Sequence, residues 1–403
     1  MTAIERHGDP GSAAGWDRLA ATRSFYLTAN WLRFVDADGG AEPHYLSSRR
    51  GDCLSAGLVA HWNPDEGHQD YRAPRVLGQP RDAGPMLLLG GRRGFRSDVL
   101  LPGVPQGRSA VPGPGRATEE LAALLGAAAG AVPEAGGRWW WPNLPTDAAT
   151  EVIAAARTLT PGIAPGLHLL RADCTVETVG AGLDDFVGAL SPKQRRTNAR
   201  REIRRFAESG LEVRRMSLSD IWERGAPLLG QVQRKYGHDM SDERLRGFLG
   251  RQAEHLDREA VVFAVHDGGR LIGFSLCYEA GDELALRLIG FDYPRLPGAD
   301  EYAQLLLYAP LRYCYERGLT RLHLGTSSYD AKCRRGARVR PLWAVTSGGS
   351  APPGPDGGPS DRIGRQLAAL TAGLPAREAA ALAAEVHTSL AAWSTLPESK
   401  ERP

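Results

Sequence analysis

At 403 residues, 42% hydrophobic and 24% charged, the chain suits a globular protein too long for one compact core, so two domains are expected. Its 49 basic and 47 acidic residues leave a net charge of +2, which excludes binding of a polyanion through bulk charge and requires any nucleic-acid surface to be local. Cys53, Cys174, Cys277, Cys314 and Cys333 lack CxxC spacing and are odd in number, which excludes complete internal pairing, and no run of about 18 apolar residues and no secretory pattern occurs; a reduced, cytoplasmic protein outside the membrane is expected.

After a flexible start through Ala14, Ser24–Val35 has apolar spacing compatible with a short amphipathic helix. His44–Ser48 and Leu54–Trp62 are β-like runs around the turn Arg49-Arg50-Gly51-Asp52, a predicted hairpin. Residues 73–116 are rich in Gly, Pro and Arg, with one buried strand at Met86–Leu89. Glu119–Val132 is predicted helical, Arg138–Pro142 a strand and Asp147–Thr158 a second helix.

The second half repeats this order. Leu183–Glu208 reads as one helix, Leu211–Arg215 as a strand, and Ser219–Leu229 and Met240–Leu256 as helices. Ala260–His266 and Leu271–Tyr278 form a predicted hairpin through Asp267-Gly268-Gly269, followed by a strand at Leu284–Ile289. A Pro- and Gly-bearing loop leads to a helix over Glu301–Arg317, closed by Gly318, and to a strand at Thr320–Leu324. Ser347–Ser360 reads as a Gly/Pro/Ser-rich linker, and Arg362–Trp393 as one or two docked helices. This α/β (α+β) pattern predicts mixed, mostly antiparallel sheets packed with helices, plus a C-terminal helical tail.

Lys193, Arg195, Arg196, Arg200, Arg201, Arg204 and Arg205 crowd one helix, countered mainly by Glu202. Lys193, Arg196, Arg200 and Arg204 form one stripe, and Arg201 and Arg205 another; like charges so spaced repel unless a polyanion or acidic surface neutralises them. A nucleic-acid backbone would do so, and a solvated helix face is the plainer alternative.

Three segments in order, Leu190–Arg205, Tyr302–Gly318 and Gly325–Pro341, resemble the FemAB-like branch of the GNAT acyltransferases. The first is similar to that branch's Lys-x-Arg-x-x-Asn-x-Arg-Arg entry helix. The last is similar to its closing Lys-x-x-x-Gly motif, here Lys332 to Gly336. The resemblance covers roughly residues 180–345 and implies tandem GNAT-like domains: a degenerate one at 15–178, a second at 179–346, a linker at 347–361 and a helical tail at 362–403.

The resemblance further implies transfer of an aminoacyl group from aminoacyl-tRNA, as co-substrate and partner, to the amine of a cell-wall precursor or specialised metabolite, with no bound cofactor. Donor-binding candidates are Lys193, Arg196, Arg200, Arg201, Arg204, Arg335 and Tyr329, the last standing in for the aromatic that the family often has where this chain has Ala331. Lys332 is the candidate stabiliser of the oxyanion or the donor's terminal phosphates, and Asp292 and Tyr293 are candidate proton relays beside the donor opening, with turn chemistry as their alternative. Arg92, Arg93 and Trp140 are candidate acceptor contacts, although adjacent tryptophans on a strand face opposite sides, which puts at least one in a core. His44, His61 and His68 lack metal-ligand spacing with any cysteine, so no metal is expected.

The superfamily's coenzyme A users hold the pyrophosphate on a Gln/Arg-x-x-Gly-x-Gly/Ala loop, which Phe291–Asp300 does not match. An acyl-CoA-dependent N-acyltransferase, with Arg295 on the pyrophosphate, is the enzyme alternative. A non-catalytic protein that holds RNA or an acidic partner is the other.

Overall fold

The computed structural model describes residues 3–80, 83–101, 115–238, 240–348 and 359–396, and divides into two compact units. The first comprises 1–173 with 339–403, the second 174–338.

The first unit opens with β1 (Ile4–His7), α1 (Trp16–Ala21), α2 (Ala29–Ala37), β2 (Glu42–Arg50) and β3 (Cys53–Trp62). The start is thus ordered where flexibility was expected: β1 pairs antiparallel with β2, Ile4 opposite Ser48. There follow α3 (Ala73–Val76), β4 (Leu87–Leu89), α4 (Arg116–Ala131), β5 (Trp139–Leu144), α5 (Thr146–Leu159) and β6 (Gly166–Glu177), and the unit division falls inside β6. Strands run in the order β1-β2-β3-β4-β5, with β4 and β5 parallel and the rest of that series antiparallel. The core lies against this sheet, where Trp16, Trp31, Tyr45, Trp140 and Trp141 are all below 2% exposed.

The second unit carries α6 (Leu183–Ala189), α7 (Lys193–Glu208), β7 (Glu212–Met216), α8 (Leu218–Lys235), α9 (Asp242–Leu256), β8 (Ala260–Asp267), β9 (Arg270–Ala280) and β10 (Glu283–Phe291). A continuous helical stretch then joins α10 (Glu301–Ala303), a π-turn (Gln304–Tyr308) and α11 (Ala309–Arg317). It leads to β11 (Arg321–Gly325) and α12 (Tyr329–Cys333). Strand order is β11-β10-β9-β8-β7, with Cys174–Glu177 of β6 on the other side of β11. Of these described pairs, β10 with β11 is parallel and the others are antiparallel. At the β8–β9 hairpin, Gly268 (φ 52°) and Gly269 (φ 85°) supply the two positive φ angles that a tight turn matching strand twist requires.

The single helix expected over Leu183–Glu208 is two, because Ser191-Pro192 interrupts it: proline's missing N–H and restricted φ end α6 and start α7. Conversely α8 runs on to Lys235 through Pro227. The chain then returns to the first unit with β12 (Arg338–Thr346), antiparallel to β5, and with α13 (Pro359–Thr371) and α14 (Ala376–Ser394). The second unit therefore closes at 338 rather than at 346, and the helical tail is part of the first unit, where Trp393 stacks edge-on against Trp343 at 4.7 Å. Most of the linker expected at 347–361 lies outside the described residues.

Candidate functional site

In the second unit β10 and β11 pair for only three residues, Glu283 with Arg321, Leu284 with Leu322 and Ala285 with His323. Beyond them β10 follows β9 to Phe291 past a bulge between Leu286 and Leu288, while β11 ends at Gly325 with an irregularity of its own against β6. The strands thus separate, and Arg287, Leu288 and Ile289 are half-exposed in a strand buried at both ends. Facing strand edges that no longer pair present backbone N–H and C=O groups to whatever enters, a frame suited to an extended acyl donor or an amide product.

One lip of this opening is the loop after β11. Gly325 (φ 69°), Ser327 (φ 68°) and Ser328 (φ 49°) are all left-handed, a conformation that costs non-glycine residues and persists only where surroundings impose it. Lys332 is part of what imposes it. It is 4% exposed on α12, and its ammonium donates to the carbonyl oxygens of Gly325 at 3.1 Å and Thr326 at 3.0 Å. The expected catalytic lysine is thus a buried charge gripping the loop at the strand's end.

The other lip is the end of β10. Asp292, 7% exposed, pairs with Arg295 at 3.0 Å, and Gln231 of α8 bridges to the backbone by accepting from the Tyr293 N–H at 2.9 Å. The Lys235 ammonium lies over the Tyr293 ring at 4.3 Å, and Phe291 links Tyr293 and Tyr302 at 5.9 and 6.2 Å. Burial pushes the Tyr302 phenol up to about 12, so it stays protonated, and the Arg335 guanidinium lies 5.9 Å from its ring. Tyr329 is half-buried at the start of α12.

At the start of α10, which follows β10, the backbone amides that would meet a coenzyme A pyrophosphate are already engaged. The N–H groups of Gly298 and Ala299 both donate to one carboxylate oxygen of Glu301 at 3.0 Å, and Glu301 is 3% exposed. A resident carboxylate there repels phosphate and takes the amides that would hold it.

The basic helix α7 divides its charges. Lys193, Arg200 and Arg201 are exposed with no partner among the described residues, and Arg204 reaches only Glu208 at 3.9 Å, both 71% exposed. Arg196 instead donates to the Leu190 carbonyl at 2.6 Å, and Arg205 pairs with Asp300 at 3.3 Å. Arg335 binds both carboxylate oxygens of Glu202, at 2.8 and 3.1 Å, and Tyr308 donates to the same carboxylate at 2.6 Å. Of the expected donor contacts, the structure leaves Lys193, Arg200, Arg201 and Arg204 facing solvent and commits Arg196 and Arg335 to the fold. Glu202, Glu301, Tyr302, Tyr308 and Gln231 were missed, and only Glu202, the lone acid among seven cations, carried a signal in the sequence.

In the first unit the expected acceptor contacts are engaged elsewhere. Arg92 pairs with Glu66 and Arg93 with Asp38. Trp140 is fully buried in an apolar cluster with Tyr71, Leu77, Leu88 and Ala344, which corrects its assignment to an acceptor pocket; Trp139 and Trp141 are buried as well. Among the described residues no group of three His, Cys, Asp or Glu side chains is placed to hold a metal ion.

A parallel strand pair that parts beside a helix start, following an antiparallel hairpin, defines the class: residues 193–333 match the model of the acetyltransferase (GNAT) domain. That match lies within the second unit, whose fold is GNAT-like. No curated protein sequence matches the chain. Among solved structures it is similar to FemX, at 12% identity and a TM-score of 0.57 over 85% of this chain and 97% of that one. It is also similar to the C-terminal domain of an Agrobacterium fabrum protein described as a lysylphosphatidylglycerol synthetase, at 12% identity and a TM-score of 0.51 over 84% and 93%. A conserved protein of unknown function from Bacteroides thetaiotaomicron gives 9% identity and a TM-score of 0.51 over 86% and 99%.

Proposed function

We propose that the protein is an aminoacyl-tRNA-dependent aminoacyltransferase that forms an amide bond on the amine of a small-molecule or cell-wall-precursor acceptor. The observation that carries this reading is the filled helix start: Glu301 takes the amides a coenzyme A pyrophosphate would need. Unpartnered positive charge clusters instead on α7, at Lys193, Arg200 and Arg201, where a phosphodiester backbone would neutralise it.

The acceptor amine attacks the aminoacyl ester carbonyl in the opening between β10 and β11. The C–N bond forms, the ester C–O bond breaks, the amine gives up a proton, and the terminal ribose hydroxyl leaves with one. Asp292, already aligned by Arg295 and Gln231, is the proposed acceptor of the amine's proton. Backbone amides along the parted strands and the positive field of Lys332 favour the oxyanion, and positioning supplies much of the acceleration.

The test is a transfer assay with pooled tRNA charged with labelled amino acids and a bacterial metabolite extract. Label is expected to pass from RNA into small molecules with the wild-type protein and to fall with a Lys193→Ala, Arg200→Ala, Arg204→Ala variant. Transfer from labelled acyl-CoA with none from any charged tRNA would overturn the reading.

A further inference from the structure

We propose that Glu202 is a positioning residue that locks the basic helix α7 to the Lys332 turn, so that a donor gripped by the helix is held in register with the opening between β10 and β11. The inference rests on the proposed use of a charged RNA only for which donor grips the helix; the lock itself is read from the second unit's geometry.

Glu202 lies about half a turn round the helix from the Lys193 and Arg200 stripe, at about 100° per residue. An acid amid seven cations would ordinarily serve its own helix, and Arg205, three residues on, is placed for that. The structure sends both charges away: Arg205 goes to Asp300 at 3.3 Å, and Glu202 takes Arg335 two-pronged at 2.8 and 3.1 Å. The pair is largely shielded, with side chains 12% and 18% exposed, which separates it from the solvent-screened bridges elsewhere on the helix. Tyr308 completes the carboxylate's shell from the π-turn, the kind of helix irregularity that re-aims side chains at functional sites. Burial first, and then the carboxylate itself, raise the Tyr308 phenol well above its usual range and keep it a donor.

From Arg335 the hydrogen bonds continue without a gap. Its guanidinium donates to the Ala331 carbonyl at 2.9 Å and its backbone N–H to the Lys332 carbonyl at 3.0 Å, and Lys332 in turn holds Gly325 and Thr326 at the end of β11. Two motifs 133 residues apart in sequence are thus one rigid block running from the donor-facing helix to the lip of the opening.

The experiment uses the full chain, with Glu202→Gln, Glu202→Asp and the exchanged pair Glu202→Arg with Arg335→Glu. Glu202→Gln is expected to lower kcat about 10- to 100-fold, the scale of a misplacement of about 1 Å. KM and the affinity for uncharged tRNA should stay within about twofold. Hydrogen exchange should quicken at the Arg334, Gly336 and Ala337 amides. Glu202→Asp and the exchanged pair should recover part of both losses. Unchanged exchange at those amides in Glu202→Gln, or a defect confined to tRNA affinity, overturns the proposal. Should the wild-type protein fail to use charged tRNA, that failure falls on the proposed donor alone; the exchange readout needs no donor and still decides whether the lock exists.

Discussion

A lysine whose ammonium is folded against two carbonyls contributes differently from one left facing a cleft. Lys332 satisfies Gly325 and Thr326, so Lys332→Met leaves buried acceptors without a donor, an expected loss of about 1–3 kcal/mol in urea unfolding together with the loss of transfer. A melt that barely moves would return Lys332 to the role of a free cation. In the first unit, burial raises the fully enclosed Asp98 carboxyl to about 7 against Arg23, which lies 3.6 Å away and pulls the other way. The sign follows from linkage: between the ordinary value of 3.8 and about 7 the folded chain keeps a proton that the unfolded chain releases. Stability from this group is full at the acid end of that window and is lost as pH rises through it. Asp98→Asn, which stays neutral, should therefore gain on the wild type as pH rises from about 4 to about 7, read as the difference between paired melting curves. Parallel curves would show that Asp98 ionises freely.

For helices, charge placement decides more than charge count. The exposed stripe on α7 predicts that Lys193→Ala, Arg200→Ala, Arg204→Ala reduces the slope of log affinity for tRNA against log salt by about 2–3, one released counterion for each lost contact. A drop in affinity with an unchanged slope would count against phosphate contact. At the start of α10, Glu301→Ala frees the amides of Gly298 and Ala299, so pyrophosphate is expected to shift those two amide resonances in the variant and not in the wild type. Much at this scale was legible: the Asp267–Arg270 turn announced its hairpin, and the Gly318 stop ended α11. β6 and β12 were not, because Pro341 and the basic run before it mask a strand whose partner, β5, lies some two hundred residues back. Glu202 showed as an oddity of composition, but its partner Arg335 is chosen by tertiary packing, which no local spacing records.

Across the whole chain, the same order recurs: an antiparallel hairpin leads to a strand that pairs parallel with its successor across a helix, β2-β3-β4 with β5 in the first unit and β8-β9-β10 with β11 in the second. Among the described residues, the second keeps its opening. After Leu88 and Trp140 pair, the first unit fills the corresponding space with side chains: Trp141 donates to Ser97 at 2.9 Å, and a Cβ on Gly90 would collide with both. The completion of the first unit depends on chain that arrives last. Trp393 of α14 is 2% exposed, packs edge-on against Trp343 of β12, and donates its indole N–H to Thr150 at 2.8 Å, while Arg157 ties off the end of the helix through the Trp393 and Leu396 carbonyls. Trp393→Ala should therefore cost about 3–5 kcal/mol, with Trp393→Phe costing much less. Hydrogen exchange locates the cost: the β5 amides of Trp139–Leu144 should lose protection while those of β9 and β10 keep theirs. Protection lost in neither place would mean that the last helices are an appendage rather than docked, and equal loss in both would mean that the two units unfold as one.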